Sequence, residues 1–256
     1  RQNKKDDPNI LPKVTVNDVG KSKIYPKFQS VNDNGLIKHF YKAGTNGIDY
    51  FQTIFPISNT SYEDLKYSSL FADIICEVGI ENKNYEQVQK LQSSTVGQIS
   101  SNFLVQRENK IDSFNMGFKM GGYSLQSNLS AMKKLIMDTL NGFRLDELDR
   151  ISDITKMHIS GLEKSVTNSG HYFAMTSSDA QISKWGAIAE NSNGITYLKN
   201  LKKLKISNGE IDVDELVSSF EILKQKIINK QVTEVLVTSD EFSNFADENK
   251  FIGNEL

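Results

Sequence analysis

Side chains able to do chemistry are few and scattered in this sequence. The three histidines, His39, His158 and His171, each lack a second His, Cys or paired carboxylate two to five residues away, the spacing a zinc site requires. His39 sits beside Lys38 in an alternating segment and is expected to face solvent. His158 falls on an apolar helical stripe, where a core histidine with satisfied ring nitrogens is the plainer reading and a ligand the sharper one. His171, within Ser169-Gly170-His171-Tyr172, invites a catalytic reading with Ser169 or Asp179 and, against it, a helix-end packing or capping role. Cys76 is the only cysteine and can form no internal disulfide. Inside an apolar helix, with no His or Asn at a telling spacing, it reads as a small buried apolar group rather than a nucleophile.

The remaining motifs are as incomplete. Gly117, Gly121 and Gly122 follow a strand without phosphate-loop spacing, so a strand bulge is expected there. Asp212-Val213-Asp214-Glu215 has a calcium loop's charge without its glycine or terminal glutamate, and reads as a helix cap by Asp212 and Glu215. The lysines from Lys199 to Lys205 read as a solvated helix face rather than an anion site. No G-x-S-x-G elbow occurs. No catalytic, cofactor-binding or metal-ligating residue is assigned from the residues themselves.

The elements that would position a site are clearer. Ile48–Phe55 is aromatic and β-branched on both alternating faces, as a strand covered on both sides requires. Pro56 is expected to end its ladder, with Thr60 and Glu63, or Ser61 and Asp64, at capping-box spacing. Tyr67, Phe71, Ile74, Ile75 and Val78 then repeat as one helical stripe, each worth roughly 1.5–3 kcal/mol when buried, and Gly79 suits a left-handed helix end. The lead-in Leu11–Val19 reads as extended. Strands are expected at Ile24–Val31 and Leu36–Lys42, turning at Asp33-Asn34-Gly35, and Gly44–Gly47 is expected to close a hairpin onto the 48–55 strand. Beyond it come a helix at Tyr85–Thr95 and strands at Gln98–Gln106 and Asp112–Tyr123 joined by Arg107–Ile111. Met116 and Met120 fall among the core positions of the second strand.

From Ser127 the period turns helical. One helix carries Leu129, Met132, Leu135, Ile136 and Leu140 and ends at Asn141-Gly142. A longer one, Leu145 to about Thr167, buries Leu148, Ile151, Ile154, His158 and Leu162. After a loop come helices around Trp185 and at Ile195–Lys205, a last helix carrying Val213 to Ile227, and a closing strand at Val232–Thr238. This order indicates an α+β fold, a mostly antiparallel sheet of about six strands with helices packed mainly on one face.

Composition narrows the function classes. Thirty basic and 32 acidic side chains are interspersed to a net charge of -2, which gives no footprint for nucleic acid and no polybasic membrane anchor. No run of 18 apolar residues predicts a membrane-spanning helix. The start, Arg1-Gln2-Asn3-Lys4-Lys5-Asp6-Asp7-Pro8, has neither Met nor a signal core, as expected of a piece of a longer protein. The divisions expected are a linker and lead-in over 1–20, the α+β domain over 21–240, and the start of a connection to a following domain over 241–256.

Several stretches, in order, resemble one family. Leu11-Pro12-Lys13-Val14-Thr15-Val16-Asn17-Asp18-Val19 is similar to the opening of the third domain of the presequence proteases, a branch of the pitrilysin/insulysin zinc metallopeptidases that includes falcilysin. Thr45-Asn46-Gly47-Ile48-Asp49-Tyr50-Phe51 resembles that family's TNGI strand. Arg144–Leu148 followed by Ser169-Gly170-His171-Tyr172-Phe173-Ala174-Met175 resembles its long helix and SGH-x-x-A turn, and Gly194–Leu201 its later helix. The resemblance implies a metallopeptidase-half fold, as in mitochondrial processing peptidase. The H-x-x-E-H zinc motif of the catalytic domain would fall on Leu70-Phe71-Ala72-Asp73-Ile74, with both ligand histidines aliphatic and the base an Asp, on a helix packed beside the 48–55 strand. It therefore implies no catalytic residue and no zinc here, the metal lying in the parent's first domain. The implied role is a non-catalytic chamber wall of an enzyme degrading targeting presequences and other short unfolded peptides. Its partners would be the other domains of the same chain, above all the catalytic half, in an organelle such as a mitochondrion or plastid. A stand-alone, catalytically dead assembly subunit of the same fold is the alternative.

Overall fold

A computed structural model describes residues 10–20, 25–57, 61, 63–107, 114–204, 206–207, 210–228 and 231–240. The expectations for residues 1–9, Ile24, Thr60, the 108–111 loop and the 241–256 connection lie outside these. Strands β1 (Lys27–Asp33), β2 (Leu36–Lys42), β3 (Ile48–Ile57), β4 (Gln98–Arg107), β5 (Phe114–Leu125) and β8 (Glu234–Ser239) form one six-stranded sheet in the order β1-β2-β8-β3-β5-β4. Every pairing is antiparallel except β2 with β8. The short strands β6 (Ile206–Ser207) and β7 (Glu210–Ile211) pair apart from it.

The β1–β2 hairpin turns at Asn34 and Gly35, both at positive φ, with Asp33 opposite Leu36. That is the two-residue turn its Asn-Gly pair favours. The hairpin expected from β2 to β3 is not formed, because β8 lies between them. The 43–47 connection instead passes over the end of β8, where the Asp240 carboxylate accepts the backbone N–H groups of Thr45, Asn46 and Gly47. Pro56 does not end β3; it pairs in register with Gly117 of β5. The Ile54 carbonyl accepts Thr233 N–H on the β8 side, so strand alternation turns Pro56 toward that same side, and the β8 ladder has already stopped at Ile54. The missing N–H has no partner to lose.

Gly121 and Gly122 form no bulge, since the register runs unbroken through both. A Cβ at Gly121 would overlap the Phe51 carbonyl, and one at Gly122 the Gln98 carbonyl, so the backbones come too close for any side chain.

The buried face of β3 carries Phe51, Thr53, Phe55 and Ile57, and one core lies between this face and the helices. These are α1 (Ser68–Ile75), α2 (Tyr85–Thr95), α3 (Leu129–Gly142), α4 (Leu148–Asn168), α5 (Gly170–Asp179), α6 (Lys184–Asn193), α7 (Ile195–Leu201) and α8 (Asp214–Ile228). None is long and apolar enough to cross a membrane. The opposite face, with Tyr50, Gln52 and Ile54 on β3, stays partly open. Where a loop was expected after α4, the chain makes α5, whose only buried side chains are Phe173 and Thr176. Two buried positions in ten residues are too few for a periodic signal. Leu148, expected on the buried face of α4, is exposed at the helix start. The lead-in departs from an extended path in a 3-10 turn, Val16–Asp18, capped reciprocally by Thr15 and Asp18.

Candidate functional site

The candidate site is α1 and what surrounds it. Ser61 and Asp64 cap the turns leading into this helix: the Asp64 carboxylate accepts Ser61 N–H at 2.8 Å and the Ser61 hydroxyl accepts Asp64 N–H at 3.1 Å. Tyr67, Phe71, Ile74, Ile75 and Val78 are all buried, as their spacing predicted. α1 lies across β4, next but one to β3, rather than directly beside β3; the Phe71 ring meets Phe103 of β4 and Phe118 of β5. The helix closes at Cys76, and Gly79 is not left-handed. Gly79 serves close approach instead, since a Cβ would overlap the Lys83 carbonyl, while its own N–H is accepted by Glu147 at 2.6 Å.

Leu70 and Ile74 are 0% exposed, sealed within the core. Zinc takes nitrogen, sulfur or oxygen donors, and these side chains carry none. Asp73, between them in sequence, points elsewhere. Its carboxylate lies 2.9 Å from His158 Nδ1 on α4, and His158 Nε2 lies 3.0 Å from the Tyr197 hydroxyl on α7. Burial, reinforced by the Asp73 charge, pushes the Tyr197 phenol far above its ordinary range. This Asp73–His158–Tyr197 chain ties three helices together and satisfies both ring nitrogens, the core role read from the stripe at His158. Tyr197 gave no sign of it in sequence, being one aromatic residue on a short helix. Among the described residues, no three His, Cys, Asp or Glu side chains gather as a metal site would need.

The other singled-out residues stay apart. Cys76 is buried, its Sγ 3.7 Å from the Ser101 hydroxyl, and burial pushes its thiol up to about 12, which leaves no thiolate at neutral pH. His171 is exposed on the first turn of α5, and Asp179 closes that helix about 12 Å along. Asp179 accepts from Ser183 instead, so the two cannot act together. His39 is half-buried rather than solvent-facing, stacked on Phe28 with Nε2 3.8 Å from Glu234. Its neighbour Lys38 is the buried one, paired with Asp33 at 2.8 Å. Asp212 does cap α8, accepting Asp214 N–H, but Glu215 instead receives the Tyr67 hydroxyl at 2.7 Å and Lys66 at 2.9 Å. That bond follows burial in raising the Tyr67 phenol, to about 12. Lys199, Lys202 and Lys203 are exposed.

The family described as peptidase M16 subfamily C associated matches residues 1–204. The mitochondrial presequence protease of Drosophila melanogaster is 25% identical over 223 residues, which are 87% of this chain and 21% of that protein. That of Danio rerio is 27% identical over 200 residues, 77% and 20% of the two. Protein HypA of Clostridium perfringens is 23% identical over 252 residues, 97% and 26%. A solved structure, a conserved protein from Enterococcus faecalis V583, superposes on 87% of this chain and 51% of its own with a TM-score of 0.56 at 11% identity, a likeness of fold. The chain thus spans about a fifth to a quarter of the length of these curated relatives.

Proposed function

The chain belongs to this peptidase-associated family, and from that premise we propose that it is a non-catalytic, chamber-forming domain of a zinc metalloendopeptidase that degrades short unfolded peptides. The observation that carries this reading is the pair Leu70 and Ile74. They occupy the strand-then-helix unit where a related catalytic domain would hold its metal, and both are hydrocarbon locked in the core. Two histidines there would have to reach a metal through packed aliphatic side chains, and Asp73 is already engaged by His158. No water-activating step can be built on this helix.

The catalytic zinc belongs, in this reading, to another domain of the parent protein, and this domain helps enclose the space where peptides are cut. Its partners are that catalytic half and the unfolded peptides themselves. The mitochondrial relatives favour an organellar setting.

The test compares the purified 256-residue chain with its full-length parent for bound zinc and for cleavage of an unfolded presequence-like peptide. Both properties are expected in the parent and neither in the chain. Stoichiometric zinc with cleavage by the chain alone would overturn the reading. A native protein no larger than 28.8 kDa would favour the stand-alone assembly subunit instead.

A further inference from the structure

A cavity of about 200 Å³ opens at the start of α1, walled by Ser69 of that helix, Phe103 and Val105 of β4, Met116 of β5, and Trp185 and Ile188 of α6. No charged side chain lines it, and an unpaired charge would be expensive to bury there. It is smaller than a drug-sized pocket of about 300 Å³ or more, a volume suited to a single bulky side chain.

Beside the cavity runs the outer edge of the sheet. β4 is the terminal strand, bonded to β5 alone. Trp185 Nε1 donates to the Val105 carbonyl at 3.4 Å, which fixes that carbonyl as pointing outward. Strand alternation then puts the backbone groups of Phe103 and Ser101 on the same outer edge. Extended peptides bind such edges through their main chain and are selected by pockets for every second side chain. Here the cavity wall and the edge share Phe103 and Val105.

We propose that this cavity and the β4 edge together hold an extended peptide, one of whose bulky uncharged side chains fills the cavity. The inference rests on the reading of the parent protein as a peptidase for unfolded chains, and gives the domain a direct hold on the substrate.

The test uses the full-length protein stripped of zinc. The probe is a short Gly/Ser peptide carrying one p-benzoylphenylalanine, cross-linked by light and mapped by mass spectrometry. Adducts are expected on the fragments holding Met116 and Trp185, suppressed by excess Phe-containing peptide but not by the same peptide with Asp in its place. Ala189→Leu, which narrows the cavity, should lower labelling about tenfold. Equal competition by the Asp peptide, measured on the unmutated protein, would overturn the proposal whether or not the variant folds. If these fragments stay unlabelled while the zinc-loaded protein still cleaves peptides, this inference alone fails; if it cleaves none, the reading beneath it fails as well.

Discussion

Phe71 concentrates much of this fold in one side chain. Its ring is buried with centroids 6.2, 6.2, 5.7 and 5.5 Å from those of Phe103, Phe118, Phe143 and Phe220, which belong to β4, β5, the α3–α4 link and α8. Phe71→Ala should lower the unfolding free energy by about 3–5 kcal/mol in a denaturant titration, and a loss under about 1 kcal/mol would mean that this helix face is not core. Two carboxylates near one end of the sheet should respond to pH with opposite signs. Asp49 is buried, and burial, more than the Asp240 charge, raises its carboxyl above the ordinary 3.8 despite the Ser239 hydroxyl and the Lys133 charge nearby. Folding then favours its neutral form, so stability is fullest below 3.8 and declines as pH climbs through the raised value. Asp240 accepts N–H groups from Gly47, Thr45 and Asn46, which lower its carboxyl, so its contribution is present above 3.8 and vanishes as pH falls through the lowered value. In thermal unfolding from acid to neutral pH, Asp49→Asn should gain on the parent as pH rises, and Asp240→Asn should fall further behind. A pH-independent shift at either position would contradict the assignment. Neither role was visible in sequence, because Asp49 reads as one polar residue in an apolar strand and Asp240 meets its partners across 195 residues.

The elements divide by the range of the forces that make them. The helix Tyr85–Thr95 and the helix ending at Gly142 were legible because period, capping and turn residues lie within their own windows. So was the apolar stripe of α1, and with it the absence of metal donors at positions 70 and 74. What was not legible depends on distant chain: the insertion of β8 between β2 and β3, the tolerance of Pro56, and the contact that fixes Gly121 and Gly122. The hairpin expected at Gly44–Gly47 has the right turn chemistry, yet a strand from the other end of the sequence takes the inner position. β8 therefore supplies the ladder on one side of both β2 and β3, with Val235 and Val237 buried between them. A chain ending at Ile228 should lose both pairings together. Circular dichroism and denaturant titration should then show no cooperative transition, since two half-sheets with unpaired inner edges have no common core. A truncated chain that still unfolds cooperatively would show that β8 is an accessory strand.

At the scale of the molecule, apolar surface is distributed unevenly. The helix face of the sheet is sealed, whereas Ile10, Leu11, Val14, Val16 and Val19 of the lead-in are 80, 69, 80, 88 and 63% exposed. Apolar side chains in such a run contribute nothing to the core beneath, and a continuous exposed group of them marks a contact surface more often than chance. Their effect on the isolated chain and on the parent protein should therefore differ. In the isolated chain, Val14→Asp with Val16→Asp should change the unfolding free energy by no more than about 0.5 kcal/mol, the range of surface substitutions away from packing. If the chain is one wall of a larger peptidase, the same pair in the full-length protein should lower its unfolding temperature and speed hydrogen exchange across residues 10–20. A loss in the isolated chain as large as that in the parent would show the lead-in packing on this domain itself. No loss in either would show that the lead-in is not where the domain meets the rest of its protein.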